Sequence, residues 1–187
     1  AYDSTFNYKT MVFEDLNLWI TDFKMTDNIN INVKIHELST NEKYGMQLKH
    51  LDCDFTINNN YFSMNNAHLS TPNSYLNADL IFRYNSFNSF KSFVDSVEMN
   101  MYFRPSDLSF VDISFFAPEV RGVYVPVKLY GSLNGYANDL RSDNLKLILG
   151  KSSIMDVDFW MKNVVDFPNM QYYLAIQGEN ITNEDIS

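Results

Sequence analysis

"YGSLNGYANDLRSDNLKLILGKSSI", residues 130–154, decides the fold. It sets Gly131 and Gly135 four apart and runs into Gly150-Lys151-Ser152, so it offers a phosphate loop, a glycine-packed membrane helix, or strands joined by turns. A phosphate loop needs a second glycine at position 145, which is Leu145, and a helix after the lysine. Instead "SSIMDVDFW" alternates Met155, Val157 and Phe159 with Asp156 and Asp158, the signature of a strand. The glycine pair lies in no apolar run of the ~20 residues that cross a bilayer. What remains is chain reversal. A turn over Gly131–Gly135 separates the stripe Val123, Val125, Val127, Leu129 from the stripe Leu145, Leu147, Leu149.

The same period of two extends outward in both directions. Ile29, Ile31, Val33 and Ile35 alternate with Asn30, Asn32 and Lys34, and Leu51, Cys53, Phe55 and Ile57 with Asp52, Asp54 and Thr56. Leu76, Ala78, Leu80 and Phe82, then Val111, Ile113 and Phe115, and finally Tyr172, Leu174 and Ile176 repeat the pattern. Successive side chains of a strand face opposite ways, so each segment has one apolar and one polar face. Strands are predicted near 4–13, 15–26, 28–38, 44–50, 51–58, 61–69, 74–84, 98–104, 109–116, 123–131, 144–150, 153–162 and 171–178. The short polar connections suit antiparallel hairpins. Only "NSFNSFKSFVDS" departs from the pattern. Its Phe87, Phe90, Phe93 and Val94 recur at helical spacing, which predicts the one helix, near 88–95.

The 187 residues, 45% of them hydrophobic, form a single β-rich segment with a sizeable core. A sheet of about twelve strands must close into a barrel, split into a sandwich, or fold about its own apolar face. Asparagine is abundant where glycine is scarce, and it can supply the left-handed turn positions. The net charge of −9, from 23 acidic and 14 basic residues, argues against nucleic acid as a partner. Cys53, the single cysteine, is expected as a small buried apolar residue.

No catalytic residue, metal ligand or cofactor site is assigned. His36, His50 and His68 are scattered singly along strands, unlike the tight pairs of zinc sites. The carboxylate pairs Asp52/Asp54 and Asp156/Asp158 fall on the polar side by alternation, where solvation leaves them unsuited to acid–base work.

Residues 107–178, with the upstream "SYLNADLIFRYNSFNSFKSFVD", carry a family resemblance. In order come "DISFFAPEV", "VKLYGSLNGYANDL" and "LKLILGKSSIMDVDFWMKNVVDFPN". This succession resembles the TamB-like branch of the AsmA-like envelope proteins in its Bacteroidetes form. The likeness covers roughly residues 30 to 187 and rests on the order of weak features, since no single motif is catalytic.

The resemblance implies an elongated antiparallel sheet folded lengthwise into a taco-like half-pipe, within a far longer protein of which this chain is an internal piece. It further implies anchoring in the inner membrane, a place in the periplasm, and transfer of phospholipids toward the outer membrane. TamB, of the translocation and assembly module, is linked to outer-membrane protein assembly. A β-barrel assembly protein is therefore an implied partner of other parts of the full chain. The implied ligand is the phospholipid acyl chain. On this reading the groove wall comprises Val125, Val127, Leu129, Leu145, Leu147, Leu149, Met155, Val157 and Phe159, together with Ile29, Ile31, Val33 and Ile35. Two other readings of the same stripes stay open: a structural or adhesin-type envelope module, and a closed barrel holding one apolar ligand.

Overall fold

The computed structural model describes residues 13–26, 30–42, 45–114, 122, 124, 127–149, 153–163 and 167–179. They form an all-β protein. The strands are β1 (Phe13–Thr26), β2 (Asn30–Glu42), the two-residue β3 (Gln47–Leu48), β4 (His50–Ile57), β5 (Tyr61–Ser70) and β6 (Tyr75–Arg83). A 3₁₀ turn at Phe87–Ser92 runs into α1 (Phe93–Ser96), and then come β7 (Glu98–Leu108) and the one-turn α2 (Phe110–Ile113). After them come β8 (Val127–Tyr136), β9 (Asp139–Leu149), β10 (Ser153–Lys162), a 3₁₀ turn at Phe167–Asn169 and β11 (Gln171–Glu179). All strands belong to one sheet in the order β1-β2-β4-β5-β6-β7-β8-β9-β10-β11, with β3 alongside β2, and every pairing is antiparallel. Among the described residues β1 and β11 do not pair, so the sheet is open and no barrel closes.

Register turns the separate stripes into one surface. Residues directly opposite each other in an antiparallel pair share a face. Met25 pairs with Ile31, Ile31 with Ile57, Ile57 with Phe62, Phe62 with Phe82, and Phe82 with Met99. The row continues through Gly135, Leu140 and Met161 to Tyr172, crossing ten strands without a charged side chain.

Among the described residues no second sheet covers this face, yet its centre is deeply buried: Ala78 is 2% exposed, Cys53 and Ala67 3%, and Val127, Leu129 and Val157 similarly little. A flat single layer would leave such residues open to water, so the sheet is bent about its apolar side. The bend has a structural cause. Only the short β2–β3 ladder and the β2–β4 and β10–β11 ladders run without a register shift, and elsewhere a bulge interrupts the strands, mostly near mid-length. Bulges kink a strand and sharpen its twist. Small side chains such as Ala67, Ala78, Ser106 and Ser142 sit near these kinks, leaving room on the concave side. Asn66, at the β5 bulge, adopts a left-handed φ of 51°, the role expected of asparagine in a glycine-poor chain.

Several expectations are corrected. The segment expected as a strand over 109–116 is helical at 110–113. Ser109 caps it by accepting from the Val111 N–H, and Asp112 is held by Thr71, Asn73 and Ser74 from the β5–β6 turn. The helix expected near 88–95 occupies 87–96 but is therefore not the only one. Gly131 and Gly135 do not form a turn: both lie inside β8, and the reversal is the two-residue Ala137–Asn138 between the paired Tyr136 and Asp139. Their conformation explains the choice of glycine. Gly131 has φ 122° and Gly135 φ 115°, and an added Cβ would stand 2.3 Å from the Asn144 carbonyl oxygen and 2.1 Å from that of Asp139. The strand expected at 4–13 lies almost wholly outside the described residues.

Gly135→Ala combines a strained φ with a collision against backbone, so it should destabilise the protein by about 2 kcal/mol or more. Urea unfolding of the variant beside wild type measures this. An unchanged midpoint would mean that β8 can shift away from the Asp139 carbonyl.

Candidate functional site: an open apolar trough

The trough is built from alternate residues of every long strand. Of the groove residues expected from the sequence, Val127, Leu129, Leu145, Leu147, Met155, Val157 and Phe159 share one face with Ile31, Val33 and Ile35. Leu129 pairs with Leu147, Leu147 with Met155, and Leu145 with Val157, while Leu149 stands in register between Val127 and Ser153. Val125 and Ile29 lie outside the described residues. Across β9, β10 and β11 the trough holds an open volume of about 380 Å³ lined by Leu145, Leu147, Val157, Phe159, Met161, Met170, Tyr172, Tyr173 and Leu174. Nearest-neighbour strands lie ~4.8 Å apart, so ten of them give the trough a length of roughly 43 Å.

Other members were missed as wall residues. Phe62 and Phe82 stack at 4.6 Å between ring centroids, and Phe90 from the 3₁₀ turn and Phe93 from α1 lean over them at 6.2 and 6.3 Å. The helical segment thus roofs one rim of the apolar face. The Phe87/Phe90/Phe93 spacing signalled a helix, but where it docks depends on the pairing of β5 with β6. Met99 and Met101 alternate within "EMNMYF" and were legible in principle. Met161 extends the β10 stripe by one more step.

The opposite face carries cross-strand ion pairs among exposed side chains such as Ile154 and Trp160. Lys34 meets Asp54 at 3.8 Å, Arg104 meets Asp79 at 2.6 Å, Lys146 meets Asp156 at 3.2 Å and Lys162 meets Asp139 at 3.5 Å, with Lys128 and Asp107 also paired. The hydrogen bond to Asp156 raises the Lys146 pKa. Such exposed pairs contribute little energy, but a one-residue slip would carry their charges into the trough, so they reinforce register.

The histidines are not as scattered as their positions in the chain imply. Strand pairing brings His50 and His68 onto the two oxygens of Asp52, at 2.8 and 3.0 Å. His36 instead stacks on Trp19 and bonds the Thr21 hydroxyl at 2.8 Å. Among the described residues no group of three or more histidine, cysteine or acidic side chains has the arrangement to hold a metal ion. Cys53 sits beneath this outer cluster on the apolar side, and burial pushes its thiol pKa up to about 11, leaving a thiol of low reactivity.

Comparison with protein-family models, with curated proteins and with solved structures finds no match. The chemistry of the trough must therefore be read from its own residues. It offers contact with hydrocarbon and no polar constellation within the wall just described.

The two faces should respond differently to substitution. Val157→Asp places a carboxylate at a position 5% exposed, between Leu145 and Ile176 of the neighbouring strands, and should cost roughly 3 kcal/mol or more in denaturant unfolding. Lys146→Gln, on the outer face, should leave the unfolding midpoint unchanged. Equal loss in both variants would show that the apolar face is not the one that holds the sheet together.

Proposed function

We propose that this chain is a segment of a bridge-like lipid-transfer protein of the cell envelope, whose trough carries phospholipid acyl chains across the periplasm while the headgroups remain at its open side. The observation that carries this reading is the uninterrupted apolar row from Met25 to Tyr172, crossing ten strands of a sheet that, among the described residues, does not close on itself. Each CH₂ taken from water gains ~0.8 kcal/mol, so an acyl chain of roughly 16 carbons gains on the order of 10 kcal/mol before ordering costs. Binding of that kind needs neither catalytic groups nor a cofactor. A length of roughly 43 Å suits a path better than a pocket for one ligand.

Both ends of the row support continuation along the same axis. Met25 on β1 is 60% exposed and Tyr172 on β11 is 66% exposed, whereas the middle of the trough is buried. The resemblance to TamB-like proteins agrees with this geometry. It implies a full chain that runs between an inner-membrane anchor and an outer-membrane partner. The open edges count against a closed barrel for one apolar ligand. A purely structural envelope module remains the competing reading, in which the apolar face is only a core.

A photocrosslinking residue at position 147, inside the trough, and one at position 146, on the opposite face, separate the two in cells producing the full-length protein. Phospholipid adducts at 147 and none at 146 are expected. Leu147→Asp should abolish lipid passage in a protein that still folds, because a charge in the acyl path loses its hydration and finds no partner. Equal labelling at both positions, or none at 147 in folded protein, would assign the face to a structural core.

A further inference from the structure

On the outer face, β2 and β4 are joined by backbone pairing only between Ile31–Ile35 and Ile57–Cys53. Beyond Ile35, β2 next pairs on that side at Thr40 and Asn41, with Leu48 and Gln47 of β3. Side chains bridge the intervening stretch. His50 places Nδ1 2.7 Å from a Glu37 carboxylate oxygen and Nε2 2.8 Å from one of Asp52. The other Asp52 oxygen takes His68 Nδ1 at 3.0 Å, so β2, β4 and β5 are tied together. Directly beneath lie Leu51, Cys53 and Ala67 with Leu38 and Leu48 packed against them, the buried cluster of this end of the trough.

A ring nitrogen facing a carboxylate oxygen at these distances must donate. A neutral imidazole has one N–H and an imidazolium has two. Both bonds of His50 can form only when the ring is charged. We propose that Glu37–His50–Asp52–His68 is a proton-controlled clasp that holds the β2–β4 seam shut in mild acid and releases it as the pH rises. The proposal rests on the fold and is independent of the lipid reading.

The surrounding charges agree with it. From β2, Lys34 is engaged with Asp54 of β4, and His36 is turned to Thr21 and Trp19 of β1. From β5, His68 donates to Asp52, and Asp79 of β6 is satisfied by Arg104 of β7. The two carboxylates touching His50 therefore set its state. The hydrogen bond to Asp52, followed by Glu37, raises the His50 pKa above its ordinary 6.5, against the opposing effect of burial. Burial pushes the Asp52 pKa up, but the bonds from His68 and His50 together outweigh it and hold the carboxyl below its ordinary 3.8. A raised histidine pKa adds stability that is complete below 6.5 and is lost as the pH climbs through the folded value. A lowered aspartate pKa adds stability that is present above 3.8 and lost as the pH falls through the folded value. The clasp is tightest between those limits.

Hydrogen exchange of the intact protein at pH 5.5 and pH 8.0, corrected for the intrinsic rate, tests the seam. Peptides covering residues 36–40 and 50–53 should lose protection by about threefold or more at the higher pH, while those from β8–β10 do not change. Glu37→Gln and His50→Gln should each remove the pH response of the seam, and His36→Gln should retain it. A carbon-detected or proton NMR titration should place the His50 pKa above 6.5 in wild type and lower it in Glu37→Gln. Equal seam protection at the two pH values, a response that survives in both clasp variants, or a His50 pKa at or below its ordinary value would overturn the clasp. If His50→Gln does not fold, the Glu37→Gln variant and the wild-type titration decide the matter.

Discussion

Among the described residues, a single sheet of this width has little to bury its apolar face against except itself and the short helical segment at one rim. Everything else in the structure follows from how it meets that demand. Bulges near mid-strand bend the layer, and small side chains at the kinks make the concave side accessible to its own backbone. The larger side chains on either flank then shield one another. Ala67 opposite Ala78, and Gly131 against the Asn144 carbonyl, are the close approaches that permit this. A methyl group more at either place would press the sheet flatter and expose the stripe it protects.

The polar face does complementary work. Lysine–aspartate pairs cross from strand to strand and add little energy, but they oppose the register slips to which a repetitive antiparallel sheet is prone. The short helical elements handle the rims. α1 and the 3₁₀ turn before it lay Phe90 and Phe93 over Phe62 and Phe82, and the backbone N–H of Asn138 in the β8–β9 turn donates to the Val94 carbonyl at 3.0 Å. α2 is pinned by Asp112, whose carboxylate collects three donors from the β5–β6 turn. Each of these pieces limits how far the bent sheet can open.

The outcome is a continuous surface of hydrocarbon side chains. Methionine, leucine and phenylalanine line it from Met25 to Met161, and such side chains adapt to flexible ligands without fixing their orientation. On the lipid-transfer reading proposed above, a path that passes many similar molecules gains from this lack of specific contacts.

The sequence by itself determined the all-β class and, between bulges, which residues of a strand share a face. A strand's side chains alternate by covalent geometry, so Leu145, Leu147, Val157 and Phe159 could be placed on a common wall before any pairing was known. It also determined the Phe-rich helix, because three-and-four spacing has no other economical reading, and the burial of Cys53. Tertiary structure alone decided where the strands begin and end around Gly131 and Gly135. A positive φ serves a bulge as well as a turn, and only the neighbouring Asn144 and Asp139 carbonyls show which. It decided that 110–113 is helical, since the donors that hold Asp112 come from a turn some forty residues earlier in the chain. It decided, too, that the sheet stays open, and that His50 and His68, eighteen positions apart in the chain, meet on one carboxylate. Contacts of this kind depend on register between distant strands, and no local pattern of residues encodes that register.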